Sequence, residues 1–212
     1  MLYNLSSLVV SLISLAGIHH DFMAYKILFL TGIISIVSDN LEYWCDFGLL
    51  LATLCSFNEL AHQYHILARI MIYSLFLFVL THRGYIVFAP YFIFLILCCA
   101  PGYLRMMCKS RSSHIDMGHA MNRRFIILGI FSITISNCIY IVYKISCFIC
   151  IMRTQSCNEI NLSVGHSLSK VLLVYGMHCV WSTVIFNKNQ HNYRYGLLYD
   201  WFPMLDEKHL KE

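Results

Sequence analysis

The chain has 212 residues, of which 58% are hydrophobic and 12% charged, with a mean hydropathy of +0.64 and a formal net charge of +4. A water-soluble domain of this length carries about twice that share of charge, so the composition points to a membrane protein. The small positive charge is gathered in one segment, which excludes nucleic-acid binding as the main task and gives no reason to expect acidic substrates.

From the N-terminus, residues 2–18 are apolar and uncharged, and no small-residue cleavage site follows, since His19-His20-Asp21 comes next. The segment reads as a first transmembrane helix and not as a removed signal peptide. Further apolar runs cover residues 23–38, 41–57, 66–81, 85–100, 125–144 and 164–186. Some are shorter than the roughly 20 residues a bilayer demands, so their ends must draw on flanking polar residues. The expected fold is all-α: a polytopic membrane bundle of seven transmembrane helices over residues 1–186, followed by a tail over 187–212. The ten cysteines are scattered, and Cys55, Cys98, Cys99 and Cys138 sit inside apolar runs, as reduced, buried thiols do.

Orientation follows from the basic residues. Between the fifth and sixth helices, Arg105, Lys109, Arg111, Arg123 and Arg124 face a single acid, Asp116, and the positive-inside rule puts that loop in the cytosol. The N-terminus is then outside and the C-terminal tail cytosolic. The acidic connection around Asp39, Glu42 and Asp46 and the stretch from Arg153 to Gly165 are external. Both glycosylation sequons, Asn4-Leu5-Ser6 and Asn161-Leu162-Ser163, fall outside under this assignment. The tail from Tyr193 to Leu205 is aromatic with few charges and suits the inner headgroup layer.

Polar residues at membrane depth are expensive to bury and are functional candidates by default. His166 and Lys170 are four apart at the outer end of the seventh helix and project from one face. The outer ends of helices two, three and seven share a side of the membrane, so Ser35, Ser38, Asp39, Asn40 and Asp46 can converge with His166 and Lys170. Two readings stay open: an outward-facing polar pocket, or helix-end residues snorkelling to water.

Several segments here resemble the transmembrane protein 8 family. They are Leu5-Ser6-Ser7-Leu8, Leu41-Glu42-Tyr43-Trp44-Cys45-Asp46-Phe47-Gly48, Arg83-Gly84-Tyr85, Ala89-Pro90 and His166-Ser167-Leu168. That family belongs to the CREST superfamily of seven-helix lipid hydrolases and receptors, which also holds alkaline ceramidases. The seven helices, the short chain and the motif opening helix three look most like its myomaker group, multipass proteins of the cell surface that promote myoblast fusion. For the metal-binding members, the resemblance implies zinc held by a histidine on helix two and a His-x-x-x-His pair on helix seven, with an aspartate nearby. Such a site leaves one zinc position open for an activated water. This chain keeps His166 but has Lys170 at the second position, and the helix-two position falls at Asp39 or Asn40, depending on register. The resemblance therefore implies a degenerate metal site. An ammonium at position 170 could stand where the metal would and pair with Asp46 or Asp39.

Other candidates carry less. His19-His20-Asp21 lies in a cytosolic turn; His62 and His65, with Glu59, form an inner turn that faces headgroups. His114, Asp116 and His119 read as solvated surface, and Cys147-Phe148-Ile149-Cys150 as a membrane-interface segment and not a dithiol site. His178 faces away from His166 and reads as a core hydrogen-bonding residue. Cys98 and Cys99, near the inner end of helix five, are candidate palmitoylation sites.

The expected function is that of a myomaker-like integral protein of the plasma membrane, with the Golgi or endoplasmic reticulum as the alternative location. It would bind membrane lipids or promote fusion, without a catalytic residue or cofactor, through a fusion partner or self-association. The alternative is a zinc-dependent hydrolase of ceramide or GPI-anchor lipids; a receptor or carrier using the same pocket comes third.

Overall fold

Apolar runs broken by short polar turns dictate helices joined as antiparallel neighbours. The computed structural model describes residues 2–20, 22–37, 41–82, 85–108, 115–152, 159–189, 192–194, 196 and 198–206. Over these the chain forms α1 (Leu2–Gly17), α2 (Met23–Val37), α3 (Leu41–Leu60), α4 (His65–His82), α5 (Tyr85–Cys108), α6 (Ala120–Met152) and α7 (Glu159–Asn189). Among the described residues the protein is thus all-α with seven helices, apart from a two-residue strand pairing in the tail. Among the residues whose side chains are described, two of these helices contain stretches long and apolar enough to cross a membrane, Ala120–Tyr143 in α6 and Val164–Lys188 in α7. Within the same described residues the apolar stretches of α1, α2, α4 and α5 are shorter, and α3 is interrupted by Glu42, Asp46 and Glu59. The expectation of seven helices is therefore met, and two of them stand as possible membrane spans among the described residues.

Helix ends depart from the apolar runs in instructive places. The run of the fifth helix stops before Pro101, yet α5 continues to Cys108. A proline removes one backbone donor and usually kinks or ends a helix, but here the following turn is held by packing. Gly102 lies so close to α3 that a Cβ there would fall 2.6 Å from Asn58 Oδ1 and 2.8 Å from the Phe57 ring. Asn58 Nδ2 also donates to Cys98 O. The sixth helix starts five residues before its apolar run because the polar side chain of Asn122 finds partners: Nδ2 donates to Asp116 O, and Oδ1 accepts from Tyr193 Oη.

At the centre stands α7, whose Val174, Met177, Cys179, Val180 and Trp181 are fully buried. It packs along α6 and also against α1. The α6–α7 crossing is backbone to backbone: a Cβ at Gly176 would lie 2.8 Å from Gly129 O, and one at Gly129 2.9 Å from Gly176 O. Small residues let helices approach this closely. Above that crossing Ser136 Oγ donates to Ser169 O at 2.7 Å, fastening the two helices again.

The surface is apolar as well as the core, and hydroxyls share the interior with the hydrophobic side chains. Leu5, Leu8, Leu12 and Leu15 on α1, Leu30 and Ile33 on α2, and Ile127 and Phe131 on α6 are exposed, while Ser14, Ser35, Ser56, Ser136, Ser169 and Thr183 are fully buried. Most of these hydroxyls donate to carbonyls in their own helix, Ser14 to Val10 O, Ser56 to Ala52 O and Thr183 to Cys179 O. These buried hydroxyls are thus satisfied without water.

The tail does not simply lie flat. Tyr193 and Leu205 are buried, and Asn192–Tyr193 pairs antiparallel with Leu205–Asp206. Tyr175 Oη on α7 donates to Trp201 O, and the Arg124 guanidinium sits 4.9 Å above the Trp201 ring. Burial raises the Tyr193 phenol above its ordinary pKa. Leu198 and Trp201 remain exposed and are the part of the tail available to a headgroup layer.

Candidate functional site: a buried ion pair between the third and seventh helices

His166 and Lys170 are one turn apart on α7 and project from the same face, as their spacing dictates. Opposite them α3 brings Asp46. Lys170 Nζ stands 2.6 Å from Asp46 Oδ1, and His166 Nε2 stands 3.7 Å from Asp46 Oδ2. All three side chains are closed off from solvent, with 1% of Lys170, 3% of Asp46 and 5% of His166 exposed. An ammonium snorkelling to water would be far more exposed, so that reading of Lys170 is excluded by the geometry. The structure gives a closed ion pair at this position, not side chains lining an open cleft.

The surroundings position the pair. From α6, Tyr140 meets the His166 ring edge to face and Tyr143 stacks on it, each at 5.7 Å between centroids. Ser169 Oγ donates to His166 O at 2.8 Å, in the turn that Ser136 ties to α6. Ser35 is buried on α2 but gives its hydroxyl to Gly32 O, within its own helix. Asp39 and Asn40 lie outside the described residues. The pairing of Lys170 with Asp46, one of the two partners anticipated, is therefore the one the structure describes.

The donor set does not fit the zinc that the family resemblance would imply. His166 and Asp46 are the metal-ligating groups around this contact, and the Lys170 ammonium already occupies one carboxylate oxygen, where it would repel a divalent cation. Among the described residues no three His, Cys, Asp or Glu side chains converge as a metal site requires. What the arrangement can do is hold a neutral pair of charges inside an apolar bundle and fix α3 to α7.

Further along α7 a second polar constellation joins the helices to the tail. The Tyr25 hydroxyl lies 2.7 Å from His178 Nδ1, and His178 Nε2 lies 2.9 Å from Pro203 O. A carbonyl only accepts, so Nε2 carries the proton, and Nδ1 of a neutral ring accepts from the tyrosine. Phe202 stacks on His178 at 4.4 Å, and Trp181 packs edge to face with Tyr25 at 4.9 Å. His178 is thus the core hydrogen-bonding residue its position suggested.

No family model matches this chain, and no curated protein or solved structure does either.

The remaining sequence candidates fall as follows. Cys99 is buried and Cys98 half-buried, whereas Cys108, at the end of α5, is the exposed thiol on that helix. His19 is exposed and His20 buried in the α1–α2 turn, while Asp21 lies outside the described residues. His62 is exposed in the α3–α4 turn. His119 is not solvated surface as expected. It is partly buried against Phe186 at 4.9 Å and Tyr193 at 5.8 Å, because the folded-back tail covers it. Asp116 is exposed, and its N–H donates to Asn187 Oδ1. His114 and the side chains of Cys147 and Cys150 lie outside what is described. Sequence reasoning missed the docking of the tail. Its only signal was an aromatic density higher than a solvated tail needs.

Proposed function

We propose that the chain is a multipass membrane protein that acts without catalysis, in the manner of the myomaker group of the transmembrane protein 8 family. Through the outer end of its bundle it binds membrane lipid or assists the fusion of apposed plasma membranes, with a partner protein or a second copy of itself. The observation that carries this reading is the buried 2.6 Å contact between Lys170 and Asp46, at the position where the family resemblance would put a metal. An ammonium there supplies no open position for an activated water. The exposed leucines of α1 and the two long apolar helices support placement in a bilayer.

The test mixes two populations of cells, each expressing the chain and a different cytoplasmic dye. Content mixing that depends on the chain is the expected result, and its absence with the protein present at the surface overturns a fusion role. Metal analysis of the purified protein covers the chemistry. Near-equimolar zinc that is lost on His166→Ala, together with ceramide hydrolysis, would overturn the non-catalytic reading.

A further inference from the structure

Opposite the Asp46–Lys170 pair, the α3–α4 turn and the ends of α5 and α7 enclose a cavity of about 500 Å³. Arg105 from α5 and Lys188 from α7 both line it, beside Glu59 and His62. Two fixed cations against one carboxylate leave the cavity net positive. Arg105 and Lys188 are exposed, and neither takes part in an ion pair among the described residues. The remaining wall is mixed: Asn58, Gln63 and Tyr64 line it together with the apolar Phe22, Leu60, Val184 and Ile185. A site that joins unpaired cations to a partly apolar wall matches an amphiphile carrying an anionic head.

Depth agrees with that chemistry. Lys188 is eighteen residues beyond Lys170 on the same helix, a rise of about 27 Å, close to the roughly 30 Å thickness of a hydrocarbon core. With the ion pair near the outer boundary, the cavity falls at the inner headgroup plane. We propose that it seats the phosphate headgroup of an anionic inner-leaflet lipid. The Arg105 guanidinium and the Lys188 ammonium hold the phosphate oxygens, and the apolar part of the wall receives the start of the acyl chains. This rests on the membrane placement proposed above, including the outer position of the ion pair, but not on the fusion role.

The experiment uses the full chain in detergent, with native mass spectrometry counting retained lipid. Dioctanoyl phosphatidic acid is compared with dioctanoyl phosphatidylcholine, and millimolar inorganic phosphate serves as competitor. Each basic residue near an anionic headgroup is worth about a fivefold preference, so about 25-fold is expected for phosphatidic acid. Arg105→Gln and Lys188→Gln should each cost about fivefold, and together bring the two lipids level. Arg69→Gln, on exposed α4 surface outside the cavity, should leave the preference intact. Equal retention of the two lipids by the unaltered chain, or a preference that survives the double variant with an unchanged melting temperature, overturns the site. Displacement of the lipid by inorganic phosphate overturns the lipid as its source. Carbonate washing separates the two proposals. A chain released from membranes overturns the bilayer placement itself, whereas a chain that stays yet shows no lipid preference overturns only the cavity.

Discussion

An aspartate and a lysine buried in apolar surroundings are each several kcal/mol away from favourable, and what keeps them ionised is each other. Lys170 and Asp46 are in that position, 1% and 3% exposed and 2.6 Å apart. Removing one partner strands the other, at a cost of about 3 to 5 kcal/mol, where an exposed pair would be worth about 0 to 1. Lys170→Met should therefore lower the melting temperature of the purified protein sharply. Adding Asp46→Asn should return part of the loss, and additive single effects in that double-mutant cycle would refute the pair. Much of this site was legible in the sequence, because the four-residue spacing of His166 and Lys170 dictates a shared face on any helix. The choice between Asp46 and Asp39 was not, since it depends on how far α3 slides along α7, a tertiary quantity that spacing within one helix does not carry.

Helices meet here through small residues, and the consequence is sharpest where α6 crosses α7. A side chain at position 176 collides with the carbonyl of Gly129 and with Ile133, whereas one at Gly165 meets none of the described residues within 4 Å. Gly176→Leu should thus destabilise the protein by several kcal/mol, since backbone would have to move. Gly165→Ala, on the same helix, should be neutral or stabilising by about 0.5 to 1 kcal/mol, because only the helix preference of alanine remains. Thermal unfolding in detergent reads both, and equal effects at the two positions would refute the close crossing. The tail gives an independent check. His178→Leu removes the donor to Pro203 O, so limited proteolysis should cut residues 198–206 faster than in the unaltered chain. The number and order of helices were readable because apolar runs alternate with polar turns. The extension of α5 past Pro101 and the docked tail were not, because partners distant in sequence, Phe57 and Asn58 for one and Tyr175 and His178 for the other, overrule the local signals.

Taken whole, the molecule has exposed leucines outside, hydroxyls among its buried residues and two polar clusters spaced eight residues apart along α7, an organisation that suits a bilayer. The orientation argued from Arg105, Arg123 and Arg124 predicts that an epitope inserted near Ser112 stains only after permeabilisation; staining of intact cells would invert the assignment. The ion pair also bears on how such a chain is made. Asp46 leaves the ribosome about 120 residues ahead of Lys170, which at roughly 5 to 20 residues per second is a wait of about 6 to 24 seconds. Throughout that interval α3 carries a carboxylate with no ammonium to meet it, and a segment so burdened partitions poorly into lipid. On the proposed membrane placement, the nascent α3 would wait for α7 before settling in the apolar phase. On that membrane placement, closure of the bundle would be a late event that waits for Lys170.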